Sequence, residues 1–221
     1  MIDLDRVCTF WENNPLWTGG SVYEAGSAQF FNVHRKVNYS DCVGGKFDLR
    51  FLPPPRPNGQ TMKILELGCG IGFWVTEFAL RGLCNLHAAE LTDQELRLTK
   101  RRLEACGVIA ELSQQNAEKL TYSDGSFDHI NCQGVAHYTE KAINEIARVL
   151  KPGGTASISV YYRNPILRFW PYMRWIGWSL AKLGGGLKGR GRKKILDIDE
   201  IVRLYDGVDN PIGKAILEES L

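Results

Sequence analysis

The run Glu66-Leu67-Gly68-Cys69-Gly70-Ile71-Gly72 has the residue types and spacing most suggestive of chemistry in this sequence. Glycine at every second position lets a backbone turn tightly and approach a ligand with no Cβ in the way. Lys63 to Leu67 reads as a buried strand and Phe73 to Arg81 as a helix, the setting that a glycine-rich ligand turn requires. A dinucleotide-binding turn has the form G-x-G-x-x-G, its last glycine packing helix against strand beside a pyrophosphate. Here that position is Phe73, and the third glycine, Gly72, comes one residue early. Glu66 also stands two residues before the first glycine. A carboxylate there repels a pyrophosphate and suits a cationic ligand.

The elements that must position this turn follow in alternation. Asn85 to Glu90 reads as a second short strand. Asp93 to Cys106 is an amphipathic helix, with Leu96, Leu98, Leu103 and Cys106 among charges, and Gly107 stops it. Residues 110–115 read as a third strand and Phe127 to Cys132 as a fourth. Thr139 to Leu150 reads as a helix closed by Lys151-Pro152-Gly153-Gly154, and Thr155 to Tyr161 as a fifth strand. Strands alternating with helices predict an α/β fold: a mostly parallel, Rossmann-like sheet with helices on both faces. Ahead of it, Val7, Phe10 and Trp11 suggest a short helix ended by Pro15, and Phe30, Phe31, Val33, His34 and Val37 a second helical stripe. Pro53-Pro54-Pro55, Pro57, Asn58 and Gly59 make a stiff linker before the core.

Composition narrows the function classes. The chain has 221 residues, 44% hydrophobic and 24% charged, with 27 Lys plus Arg against 25 Asp plus Glu. A net charge of +2 excludes a strongly basic nucleic-acid binder, leaving only local patches. No secretory leader pattern and no long uncharged apolar run is visible, so a cytoplasmic location is expected. The six cysteines, Cys8, Cys42, Cys69, Cys84, Cys106 and Cys132, include no C-x-x-C pair, which argues against structural zinc or a disulfide framework. No metal is expected.

On these residues the sequence resembles the class I S-adenosylmethionine-dependent methyltransferases, of the small-molecule type. The E-x-G-x-G-x-G turn is similar to that family's first motif. Glu90 ends the second strand 18 residues after Gly72, where the family places an acid on the ribose hydroxyls. Asn116-Ala117-Glu118 stands where Asp-Ala is common beside adenine. Asp124-Gly125-Ser126-Phe127-Asp128 opens the fourth strand, and Arg148 to Gly154 matches the signature before the fifth. The resemblance covers about residues 62–161. It implies S-adenosylmethionine as cofactor, with Gly68, Cys69, Gly70 and Gly72 lining its amino-acid end. Glu66 then orients the turn or reaches the methionyl ammonium through a water. Glu90 and Leu91 fall at the ribose, and Asn116, Ala117 and Glu118 at adenine. Gln133 and Gly134 close over the sulfonium. Among catalytic candidates, His137 falls in the loop after the fourth strand and is placed to act as a general base, or reads as a loop histidine bonded to the backbone. Tyr138 and Tyr23 are further candidates, each also readable as core or wall.

The chain thus divides into an N-terminal lid or helical extension (1–60), a cofactor-binding core (61–161), an aromatic and basic segment (162–194) and a tail (195–221). Trp11, Trp17, Tyr23, Phe30 and Phe31 of the extension are placed to wall a flat or apolar acceptor, or to pack as a helix pair on the sheet. Residues 161–194 hold nine basic residues and no acid, interleaved with Tyr, Phe and Trp. That composition suits a substrate cap, a peripheral membrane contact, or stacking on single-stranded nucleic acid. The loop Asn131-Cys132-Gln133-Gly134 lacks the N-P-P-Y-like tetrapeptide of base-amino methyltransferases, so no nucleic-acid partner is expected. Two further strands, expected of the family, are not evident after Tyr161. An unfinished sheet edge invites pairing, and a homodimer is one way to complete it. The reading is methyl transfer from S-adenosylmethionine to a small, lipophilic acceptor. A catalytically silent cofactor-binding partner subunit and an RNA methyltransferase stand as alternatives.

Overall fold

The computed structural model of the chain describes residues 4–16, 21–41, 45–55, 61–136, 140–160 and 169. Residues 11–159 form one compact unit, and the described residues at the two ends of the chain group separately. The expected cap at 162–194, the tail, His137 and Tyr138 therefore lie outside the described residues, apart from Phe169. Among the described residues, no helix is long and apolar enough to cross a membrane.

Two helices come first, α1 (Leu4–Asn13) and α2 (Ala28–Asp41), then a 3-10 turn at Leu49–Phe51. The alternating core follows: β1 (Lys63–Leu67), α3 (Phe73–Leu80), β2 (Asn85–Glu90), α4 (Asp93–Cys106), β3 (Glu111–Gln114), β4 (Phe127–Gln133), α5 (Glu140–Val149) and β5 (Leu150–Ser159). The five strands form one parallel sheet in the order β3-β2-β1-β4-β5. The chain works outward from β1 through β2 to β3, then crosses back to β4 on the other side of β1. Strand order reverses between β1 and β4, and open α/β sheets bind ligands at the carboxyl ends beside such a reversal.

β1 shows why the sheet needs cover on both faces. Leu65 and Leu67 pack with Ile130, Cys132, Ile146 and Val149, on the α5 side. Ile64 packs with Val75, Phe78, Leu86 and Leu103, on the α3 and α4 side. The two-residue side-chain period of a strand makes this division. The largest difference from the sequence reading is at β5. It begins at Leu150, directly after α5, where a closing turn was expected. Phe127 pairs with Leu150 but His129 with Thr155, so two steps on β4 meet five on β5. The Lys151-Pro152-Gly153-Gly154 stretch is the bulge that absorbs the excess, with Gly153 at φ +75°.

α2 is tied to the core by buried polar groups. Glu77 of α3 is 1% exposed and accepts from Arg35 and Tyr39 of α2 and from Arg81. Burial pushes its carboxyl up, but these donors hold it below its usual range. His34 is buried too, its ring edge-on to Phe73, with Arg102 Nη1 at 3.3 Å from Nδ1. Burial, then Arg102, push His34 down to about 3, so it is neutral. Phe30 and Phe31 pack with Ile71 and Leu98. These two rings are core, and of the two roles expected for them the packing role is the one observed. Glu77→Ala would leave two guanidinium groups facing a pocket with no carboxylate. It is expected to destabilise by about 3 kcal/mol, measured by urea unfolding. Arg35→Ala, whose side chain is 42% exposed, should cost well under half of that.

Candidate functional site

The glycine turn sits at the carboxyl end of β1, and its backbone donors are directed inward. Gly68 N–H and Cys69 N–H both donate to Ala89 O of β2, at 2.8 and 3.1 Å. Gly70 N–H donates to Glu90 Oε2 at 2.9 Å. The turn is thus fastened along the end of β2 before it enters α3.

Two glycines are required by their neighbours as well as by their φ. Gly68 has φ +75°, and a Cβ there would collide with the side chain of Val135, from the loop after β4. Gly72 has φ +77°, and a Cβ there would lie 2.8 Å from Thr99 Cγ2 of α4. Thr99 also donates to Gly70 O at 2.7 Å. Gly68 and Gly72 therefore let the β4 loop and α4 close on the turn from two sides.

Three carboxyl groups surround this turn, all buried: Glu66, Glu90 and Glu95. Glu66, next to last in β1, is in register with Asn131 of β4 and accepts from Asn131 Nδ2 at 2.7 Å. Gln133 Nε2 in turn donates to Asn131 Oδ1 at 2.7 Å and to Ser157 O. Gln133–Asn131–Glu66 is thus a hydrogen-bonded row across the ends of β4 and β1. Glu90 accepts from Gly70 N–H and, through Oε1, from Leu91 N–H at 2.6 Å. Glu95, on the first turn of α4, accepts from Leu16 N–H and Thr92 Oγ1.

Burial pushes all three carboxyls up. For Glu66 the Asn131 bond opposes this and the charge of Glu90 adds to it. For Glu90, backbone donors Gly70, Leu91 and Thr92 oppose burial. For Glu95, the charge of Glu90 adds to burial. The thiol of Cys69 is raised by burial and then by Glu90, so it is held protonated. Among the described residues no lysine or arginine forms an ion pair with any of these three acids. A sheet end with buried acids that no described lysine or arginine pairs with is a fit for a ligand carrying positive charge. S-adenosylmethionine carries two such charges, an ammonium and a sulfonium, together with a ribose diol for a carboxylate to accept.

The expected adenine residues are brought to the same edge. Gln115 N–H donates to Glu90 O at 2.8 Å, placing the turn after β3 beside the end of β2. Within that turn Asn116 Oδ1 accepts from Glu118 N–H, and Lys119 N–H returns to Asn116 O. Ala117 packs on the main core, and Glu118 pairs with Lys141 of α5 at 3.5 Å. Gly134 N–H is held by Ser159 Oγ. Tyr23 lies apart from this gathering in its hydrogen bonding. It is 45% exposed, and its N–H donates locally to Ser21 Oγ.

Glu95, Thr99, Asn131 and Val135 were missed as site residues. Asn131 is the register partner of Glu66 near the end of β4, a signal visible only once β1 and β4 are paired. Glu95 and Thr99 fall on a helix whose charged pattern reads as solvated.

A methyltransferase domain family matches residues 65–158. The matched stretch, from β1 to β5, is thus a methyltransferase domain. The chain is 34% identical over 146 residues to the ubiquinone/menaquinone biosynthesis C-methyltransferase UbiE of Citrobacter koseri, covering 62% of this chain and 53% of that protein. It is 34% identical over 107 residues to UbiE of Bordetella avium, covering 46% and 42%. The chain thus spans about half the length of these relatives. Among solved structures, an S-adenosylmethionine-dependent methyltransferase from Methanosarcina mazei is 26% identical, with TM-score 0.47, over 52% of this chain and 61% of that one.

The acid cluster sets a pH signature for the ligand-free protein. A carboxyl raised above its unfolded value of 4.5 contributes stability that is complete below that value and is lost as pH rises through the folded value. Glu66→Gln keeps an oxygen for Asn131 and removes the ionisation. The variant should melt at least about 3 °C above the wild type near pH 8 and equal to it near pH 4, by differential scanning calorimetry without ligand.

Proposed function

We propose that the chain transfers the methyl group of S-adenosylmethionine to a small, lipophilic, ring-type acceptor. The observation that carries the methyl-donor half is Glu90. Its buried carboxylate ends β2, is aimed by two backbone N–H groups, and lies beside the glycine turn. A carboxylate at that place, the end of the second strand, is an acceptor suited to the hydroxyl donors of a ribose diol. The acceptor half draws support from the relatives, which are named for ubiquinone and menaquinone biosynthesis and for methylation at carbon.

When bound, the cofactor supplies a methyl carbon made electrophilic by its sulfonium. The chain's own contribution is placement. Glu90 fixes the ribose, and Asn116, Ala117 and Glu118 flank the adenine. The Glu66–Asn131–Gln133 row holds negative charge under the amino-acid end, while Val135 and the glycine turn exclude water from it. Alignment and exclusion of water account for most of what in-line displacement requires. His137 takes the acceptor's proton where the acceptor enters protonated. The aromatic and basic run 162–194 supplies the surface through which a lipophilic acceptor, or the membrane holding it, meets the chain.

Calorimetric titration tests the first half. Glu90→Ala should weaken S-adenosylhomocysteine binding by about 10- to 100-fold, from the loss of two hydrogen bonds to a charged group. Unchanged affinity would remove the ribose assignment. In an assay of methyl transfer to quinol-type ring acceptors, His137→Ala should lower turnover at least about 100-fold and leave cofactor affinity as it was. Full turnover in that variant would end the claim of His137 as base.

A further inference from the structure

Thr92 and Glu95 stand at the start of α4 in the spacing of a capping box, where each side chain ordinarily satisfies the other's backbone N–H. Here the box is not closed within the helix. Thr92 is the N-cap, and its side chain caps no backbone N–H. Its hydroxyl donates instead to Glu95 Oε2 at 3.2 Å. Glu95 Oε1 reaches out to accept the Leu16 N–H at 2.9 Å. The helix N–H at Gln94 is accepted from outside, by Glu12 Oε2 at 3.4 Å. Glu12 and Leu16 belong to one short stretch at the end of α1, so that stretch and the first turn of α4 exchange caps. Each satisfies a donor of the other.

The exchange has a consequence at the glycine turn. Leu16 Cδ2 lies 3.4 Å from the point where a Gly70 Cβ would stand, and Glu95 Oε1 lies 4.0 Å from it. Glu95 is 4% exposed, whereas Leu16 is 43% exposed. The leucine therefore rests on the turn as an outer wall, and its N–H is anchored in the core by a buried carboxyl. The charged groups facing Glu95 are Glu90 of β2 and Glu12 of α1. Glu90 is the residue assigned to the ribose.

We propose that Glu95 is a positioning residue of the cofactor site: it straps residues 12–16 across the glycine turn, seating Leu16 over Gly70. This rests on the reading of that turn as the cofactor's binding place. A strap held from inside the site slows departure of whatever lies beneath it, so its loss should register in the dissociation rate.

Stopped-flow and calorimetric measurements with S-adenosylhomocysteine test this on the full chain. Glu95→Leu fills the space but cannot accept the Leu16 N–H, and Leu16→Gly keeps the N–H but removes the wall. Each is expected to raise the dissociation rate about tenfold, as for loss of one hydrogen bond to a buried carboxyl or of one wall contact. The double variant should be no worse than either single one, because both remove the same strap. Glu95→Gln, which retains a carbonyl oxygen, should recover most of the affinity. Hydrogen exchange of the peptide containing Leu16, without ligand, should quicken in Glu95→Leu and not in Glu95→Gln. Wild-type dissociation in Glu95→Leu, or additive effects in the double variant, would overturn the strap. Absence of binding to the wild type would instead overturn the cofactor reading, and this inference with it. If Glu95→Leu fails to fold, Leu16→Gly and Glu95→Gln still decide the question.

Discussion

The bond from Gly70 N–H to the Glu90 carboxylate is the point on which the site depends. It ties the turn that follows β1 to the end of β2, and it does so with a buried charge. A neutral acceptor would fasten the turn equally well as far as geometry goes. The charge makes the end of the sheet electrostatically incomplete, because Glu66 and Glu95 are buried near it and the protein supplies no cation among the described residues. Ionised carboxyls out of water carry a large free-energy cost unless paired. The fold therefore holds a region whose acids gain most when a positively charged ligand arrives. Stability of the empty protein and affinity for that ligand are opposite sides of one electrostatic arrangement.

The rest of the structure can be understood as support for that arrangement. The parallel sheet reverses its order between β1 and β4, the kind of place beside which open α/β sheets bind ligands. Asn131 arrives from β4 in register with Glu66 and orients its carboxyl. Thr99 of α4 and Val135 of the β4 loop close against glycines that leave room for them. At a greater distance, Glu77 with Arg35, Tyr39 and Arg81 clamps α2 to α3, and Arg102 lies between the rings of Phe31 and Phe73. α2 is thus packed into the core through buried polar groups and rings.

Much of this was legible in the sequence because it is local. Glycine spacing, the strand-turn-helix context and an acid at the end of the second strand identify the turn and Glu90. The α4 boundaries follow from its apolar spacing and Gly107, whose φ of +64° is a left-handed cap. What escaped is what long-range pairing decides. Glu95, Thr99 and Arg102 are polar residues on an amphipathic helix, and sequence pattern assigns such residues to water. They are buried because α2 and the glycine turn pack on what pattern takes for the outer face. The β5 bulge escaped for a related reason. Lys-Pro-Gly-Gly reads as a stop, yet a bulge lets a strand take in a proline and excess residues and continue its pairing.

A crystal structure of the chain with S-adenosylhomocysteine tests the central claim most directly. The account predicts the ribose hydroxyls on the Glu90 carboxylate and the amino-acid end over Gly68–Gly72, with its ammonium on the Glu66 side. A ligand bound elsewhere, or a ribose turned away from Glu90, would contradict it.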